Sequence, residues 1–154
     1  MAVQPSAEHP VHGSCLCGGV RFAVTQPFLR ANYCHCERCR KHSGTAALAQ
    51  GRVPREGFEL LSGAELLTVY APPGGGMVKA FCRVCGSSLF GGTWPDGPEV
   101  SIRLGSLDQD PGIRPQFHAF TASQASWETL RDDGLPRYER RYRRPAADST
   151  SPAS

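Results

Sequence analysis

The residues best placed to do chemistry in this sequence are its seven cysteines, Cys15, Cys17, Cys34, Cys36, Cys39, Cys82 and Cys85. They fall into three groups: Cys15-x-Cys17, Cys34-x-Cys36-x-x-Cys39 and Cys82-x-x-Cys85. An odd number, in a chain that opens without a basic stretch followed by an apolar run, argues against a disulfide framework. The C-x-C spacing is also too tight for disulfide partners, so each cysteine would have to pair elsewhere. Thiolates at such spacings suit zinc, which takes four ligands in tetrahedral geometry. In an extended segment side chains i and i+2 face the same way, so a C-x-C presents two sulfurs to one ion. A C-x-x-C does the same around a tight turn, and Gly86, directly after Cys85, accommodates the positive φ such a turn needs.

Two pairs make a closed site, and Cys15/Cys17 with Cys82/Cys85 would tie the start of the chain to its middle. Cys34, Cys36 and Cys39 then remain, with no evident fourth ligand. Three protein ligands plus water or substrate is the pattern of a catalytic zinc. Two other partitions stand beside this one. Cys34/Cys36 with Cys82/Cys85 would scatter Cys15, Cys17 and Cys39, and a single-ion reading makes Cys39 a core thiol. His35 lies between two same-facing cysteines and should point away from them. Arg38, Arg40 and Lys41 flank the second group and Arg83 lies inside the third, where cations would offset thiolate charge.

Short apolar or alternating runs separated by glycine and proline, 17 and 13 in number, predict a mainly β domain. Strands are expected over residues 20–24, 30–33, 46–51, 58–61, 66–70, 77–81, 88–91, 100–104 and 116–120. One helical turn is expected over residues 37–43 and a second near 126–131. Residues 72–76 and 94–98 read as loops. The length, 154 residues, fits one domain, placed at residues 11–142 between disordered tails at 1–10 and 143–154. No window approaches the ~20 apolar residues of a spanning helix, so no membrane role and a cytoplasmic location are expected. The net charge of +3 is weak. Arg137, Arg140, Arg141, Arg143 and Arg144 gather near the end, but no recognition-helix pattern accompanies them, which argues against nucleic acid.

Three stretches carry a family resemblance. They are His12-Gly13-Ser14-Cys15-Leu16-Cys17-Gly18-Gly19-Val20-Arg21-Phe22, Cys34-His35-Cys36-Glu37-Arg38-Cys39-Arg40-Lys41 and Phe81-Cys82-Arg83-Val84-Cys85-Gly86-Ser87. Arg103-Leu104-Gly105-Ser106-Leu107-Asp108, Arg114-Pro115-Gln116-Phe117-His118 and the Trp127 region also fit. Together they resemble the glutathione-dependent formaldehyde-activating enzymes, whose domain centromere protein V shares. Ser126-Trp127 departs from the Pro-Trp frequent in that family. The resemblance implies a Mss4-like fold of small antiparallel β-sheets organised around zinc, with few helical turns. It implies a structural zinc on Cys15, Cys17, Cys82 and Cys85. It also implies a catalytic zinc on Cys34, Cys36 and Cys39, the second ion being the more labile.

The activity implied is that of a carbon–sulfur lyase on a thiol–aldehyde adduct, S-(hydroxymethyl)glutathione or a relative, with substrate thiolate at the open zinc position. Glutathione and an aldehyde are the expected partners, and Arg38, Arg40 and Lys41 the expected carboxylate contacts. The alternative is a non-catalytic zinc module that binds protein or nucleic acid, for which an unsaturated second site would serve no purpose. His118 reads as a packed or hydrogen-bonded core residue, and Trp94 and Trp127 as packing residues.

Overall fold

The computed structural model describes residues 3–143. A three-stranded antiparallel sheet is formed by β1 (Val11–Ser14), β2 (Arg21–Val24) and β5 (Phe58–Ser62). The larger sheet comprises β3 (Arg30–Cys34), β4 (Leu48–Pro54), β6 (Leu67–Tyr70), β7 (Val78–Cys82), β8 (Ser88–Gly92), β9 (Glu99–Arg103) and β10 (His118–Ala119). Its order is β10-β3-β4-β9-β8-β7-β6, antiparallel throughout except where β10 runs parallel to β3. The single α-helix among the described residues, α1 (Glu37–Ser43), follows shortly after β3. The chain is thus mainly β, with small, mostly antiparallel sheets and few helical turns.

Register divides the larger sheet into two unlike faces, because cross-strand partners point to the same side and successive residues to opposite sides. Ala31, Gly51, Ile102, Phe90 and Ala80 are paired in series across β3, β4, β9, β8 and β7, and Val53 pairs with Val100. This face is apolar and packs on the smaller sheet. Phe90 meets Phe22 at 5.0 Å and Phe58 at 5.2 Å between ring centroids, both edge-on. Phe22 and Phe90 have no solvent exposure, so truncating either to Ala should cost about 3–5 kcal/mol.

The opposite face carries Cys34 and Leu48, Asn32 and Gln50 with Arg103, and Arg52, Ser101, Gly91 and Lys79 in series. It is the face that α1 covers. A sheet whose strands alternate this way must bury polar groups on its helix side, and those groups require partners there.

The expected strands are present to within a few residues at each end, and α1 occupies the expected span. β1 was not foreseen. Gly13 and Pro10 weaken its pattern, but the Phe22 ring lies so close over Gly13 that a Cβ there would stand 2.1 Å from Cζ. The helix expected near 126–131 is absent. That stretch has one turn, closed by Glu128 N–H to Ala125 O at 3.0 Å, too short to propagate. Residues 3–10, read from composition as a tail, lie against the body: Pro5 is fully buried and Gln4 Nε2 donates to Gly112 O at 2.6 Å. The expected tail at 143–154, Arg144 included, lies outside the described residues apart from Arg143. Among the described residues no helix is long and apolar enough to cross a membrane.

Candidate metal centres

The first cluster joins the two sheets. Cys15 and Cys17 sit in the turn after β1, Cys82 ends β7 and Cys85 lies in the turn that follows; their four sulfurs lie within 4.8 Å of one another. Cys15 Sγ is 3.5 Å from Cys17 Sγ, which is 3.9 Å from Cys82 Sγ. Metal–sulfur bonds of about 2.3 Å in a tetrahedron require sulfur separations of about 3.8 Å, so four thiolates here fit one ion. The turns are shaped for this purpose. Gly86 takes φ +77°, and its N–H donates to Cys82 O at 2.8 Å. Val20 N–H donates to Cys15 Sγ at 3.2 Å, and Ser87 Oγ lies 3.2 Å from Cys85 Sγ and accepts from Leu16 N–H at 2.9 Å. The Ser87 contacts bring the Cys85 thiol down to about 5, whereas Cys17 rises to about 11: the Gly19 amide lowers it, but the Cys15 thiol and burial outweigh that.

The second cluster is local. β3 ends at Cys34, Cys36 caps the N-terminus of α1, accepting from Cys39 N–H at 3.3 Å, and Cys39 lies in the first turn. The three sulfurs lie within 4.8 Å of one another, and no fourth His, Cys, Asp or Glu joins them among the described residues. Cys34 and Cys39 are buried, with Leu48 packed on them. The Cys34 and Cys36 thiols, and then Lys79, pull the Cys39 thiol far below its ordinary range, while contacts with Cys36 and Cys39 push Cys34 up. All seven cysteines are free of disulfides, and both groups form donor sets that could hold a metal.

The cation on the second cluster is one the sequence reading missed. Lys79 is 5% exposed and its Nζ donates to Cys39 Sγ at 3.2 Å. Arg103, 4% exposed, lies on the same sheet face, with Nη1 donating to Gln50 Oε1 at 3.3 Å and Ser101 Oγ at 3.2 Å. Its guanidinium fills the space above Gly91, where a Cβ would come within 2.5 Å of Nη2. A signal was present for Lys79, the one charged residue of β7 and at a buried position, whereas Arg103 ends a strand that also holds Glu99 and Ser101. The flanking cations turn elsewhere. Arg38 Nη1 donates to Gly75 O at 3.1 Å, Arg40 Nε to His35 O at 3.3 Å, and Lys41 pairs with Glu37 at 2.8 Å. Arg83 Nε donates to Glu65 O at 3.3 Å.

His35 points away from the sulfurs, as expected. Its Nε2 lies 2.8 Å from His118 Nδ1, and His118 Nε2 lies 2.8 Å from Asp133 Oδ2. His118 Nε2 faces the carboxylate and donates to it, and His35 Nδ1 is buried with no hydrogen-bond partner among the described residues. Asp133 was not foreseen, because it lies in an irregular segment far along the chain. Trp94 stacks on Phe90 at 4.4 Å, as a packing residue should, but Trp127 is 71% exposed and does not pack. A cavity of about 640 Å³ has Cys15 of the first cluster and its neighbours Leu16 and Ser87 on its wall, and meets the second cluster only through Leu48, which packs on Cys34 and Cys39. Leu48 forms part of its wall, with Ser43, Thr45, Ser88, Arg103 and Asp108.

With this geometry established, comparison with known proteins is informative. Residues 10–123 match the model of the glutathione-dependent formaldehyde-activating enzyme family. A protein of Halomonas elongata, named provisionally as a glutathione-dependent formaldehyde-activating enzyme, is 33% identical over 125 residues, covering 76% of this chain and 78% of its own. A crystal structure of a Rhodobacter sphaeroides protein, a structural-genomics target, superposes with a TM-score of 0.50 at 28% identity, covering 68% of this chain and 91% of that one. The family match spans both cysteine clusters and every strand of the fold, so this chain belongs to the glutathione-dependent formaldehyde-activating enzyme family.

Proposed function

We propose that this protein is a zinc-dependent carbon–sulfur lyase acting on the adduct of a small thiol and an aldehyde, S-(hydroxymethyl)glutathione or a close relative. The observation that carries the reading is the second cluster: three convergent sulfurs with no fourth protein ligand among the described residues, one of them held by a buried ammonium. Family membership supports glutathione and formaldehyde as the chemistry served. Cys15, Cys17, Cys82 and Cys85 would hold a structural zinc, and Cys34, Cys36 and Cys39 a second. At that second position zinc supplies Lewis acidity, keeping a coordinated sulfur deprotonated at neutral pH and polarising the C–S bond.

The chain's own residues do the positioning. Cys36 and Cys39 are fixed by the first turn of α1 and Cys34 by the end of β3, so the three sulfurs are aligned before substrate arrives. The body of the thiol is proposed to lie in the cavity that Leu48 helps to wall, where the hydroxyls of Ser43, Thr45 and Ser88 suit a polar molecule. On α1, Arg38 and Arg40 donate to carbonyl oxygens and have no carboxylate within ion-pair distance among the described residues. They are therefore proposed to meet substrate carboxylates, with Lys41 contributing least because Glu37 already holds it.

Purified protein provides the test. Metal content should approach two zincs per chain, and adduct formation and cleavage should exceed the enzyme-free rate. Cys39→Ala should lose one zinc and its turnover together. Turnover that persists after that zinc is lost would overturn the assignment of Cys34, Cys36 and Cys39 as the catalytic set.

A further inference from the structure

Lys79 and Arg103 together present an electrostatic problem. Each is at most 5% exposed, and neither has a carboxylate within ion-pair distance among the described residues. Taking an ammonium or guanidinium out of water is strongly unfavourable unless an opposite charge compensates. The anionic groups near them are the sulfurs of the second cluster. Lys79 donates directly to Cys39 Sγ at 3.2 Å, and the charges of Cys39, Cys34 and Cys36 act on Arg103. The fold commits to this placement, because Arg103 requires a residue without a Cβ at position 91, the register partner of Lys79.

The charge count then selects the fourth ligand. A divalent ion on three thiolates leaves one net negative charge, and the two buried cations reverse it to one net positive charge. A neutral fourth ligand leaves that positive charge buried, whereas an anion cancels it. We propose that Lys79, supported by Arg103, is the specificity-determining cation of the three-thiolate site, making its open position take an anionic ligand such as a thiolate in preference to a neutral one. The proposal rests on the reading that Cys34, Cys36 and Cys39 hold a divalent ion with one open position. The four-cysteine cluster has no such cation donating to its sulfurs among the described residues, and no open position for one to serve.

The test uses cobalt(II)-loaded protein at constant ionic strength and pH 8, with ligand exchange followed by the visible d–d bands, so that turnover is not needed. Thiocyanate is the anionic probe and imidazole the neutral one. Wild type should bind thiocyanate more tightly than imidazole. Lys79→Met should weaken thiocyanate by about tenfold or more and leave imidazole within about twofold, because a unit charge a few ångströms away in a partly buried site acts at that scale. Lys79→Arg should keep the preference, and Arg103→Met should reduce it less than Lys79→Met does. Lys79→Met with two cobalts and unchanged thiocyanate affinity overturns the proposal and leaves the lyase reading standing. Should Lys79→Met fail to hold its second cobalt, wild type decides: imidazole binding as tightly as thiocyanate overturns the proposal. Wild type that takes up a single cobalt overturns the two-metal reading and this inference with it.

Discussion

The two cysteine clusters meet the same chemical demand, concentrated negative charge on sulfur, in different ways. The four-cysteine cluster lies at a rim. Cys17 is exposed, water reaches the site, and the partners of the sulfurs are neutral dipoles: the Val20 amide and the Ser87 hydroxyl. The three-cysteine cluster lies under α1 with Cys34 and Cys39 buried, and its partner is a full positive charge on Lys79. Water can screen a rim site at little cost, whereas a buried site needs ionic compensation from the protein. Connectivity differs as well. The first cluster links the turn after β1 to the turn after β7 and so joins the two sheets, while all three cysteines of the second lie within the span from the end of β3 to the first turn of α1. One cluster should therefore be inseparable from the fold, and the other removable from it.

The largest effect expected from this contrast is at Cys82. Its side chain is fully buried, belongs to the main hydrophobic core and offers a sulfur to the first cluster. Structural zinc sites are worth about 10–16 kcal/mol in small zinc-dependent domains, comparable with the whole stability of a domain. Cys82→Ser should leave a chain without near-UV circular dichroism or a cooperative melt. A well-folded variant holding one zinc would break the distinction between the clusters.

Cys39→Ala should keep the fold but not without cost, because it strands the Lys79 ammonium. Removing one partner of a buried charged pair costs about 3–5 kcal/mol. The double variant Cys39→Ala/Lys79→Met removes both charges and should recover much of that loss in a denaturant melt. Additive single-variant losses would mean that the two side chains are not coupled. A smaller effect is expected at Gly91. Gly91→Ala would put a Cβ within 2.5 to 2.9 Å of three guanidinium atoms of Arg103 and should cost about 1–3 kcal/mol, measured by the same melt. Arg103→Met in that background should relieve part of the cost.

The two clusters also differed in how far the sequence revealed them. The sulfurs themselves were legible, because closely spaced C-x-C and C-x-x-C groups bring ligands together locally, although Cys15 and Cys17 lie in a turn and Cys36 at a helix cap rather than on the expected extended segments. α1 was legible for the same reason, since its cap and first turn are written into Cys36-Glu37-Arg38-Cys39. What the sequence concealed was whatever sheet register decides. Lys79 lies 40 residues from Cys39, and only the pairing of β7 with β8, and of β8 with β9, brings it to the sulfur. The nearby cations Arg38, Arg40 and Lys41 looked better placed to balance the thiolates, yet a side chain leaving the outer face of a helix cannot reach back beneath it. Asp133 escaped notice for a related reason, being joined to His118 through an irregular segment with no periodicity to read.

The same helix face yields the finest test of the site. If Arg38 and Arg40 meet substrate carboxylates, their loss should raise KM for the glutathione adduct and leave kcat nearly unchanged, because those contacts are equal in ground and transition states. Arg38→Ala should show the larger change, about five- to tenfold. Arg38 holds only the carbonyl of Gly75 in an exposed loop and can exchange it for an anion. Arg40→Ala should change KM less, since Arg40 also fixes the carbonyl of His35 beside the cysteine ligands, and its loss should lower kcat slightly as well. Lys41→Ala should stay within about twofold, its ammonium being exposed and already paired with Glu37. The reverse ranking, with Lys41 dominant, would place the carboxylate beside the Glu37–Lys41 pair and would relocate the substrate accordingly.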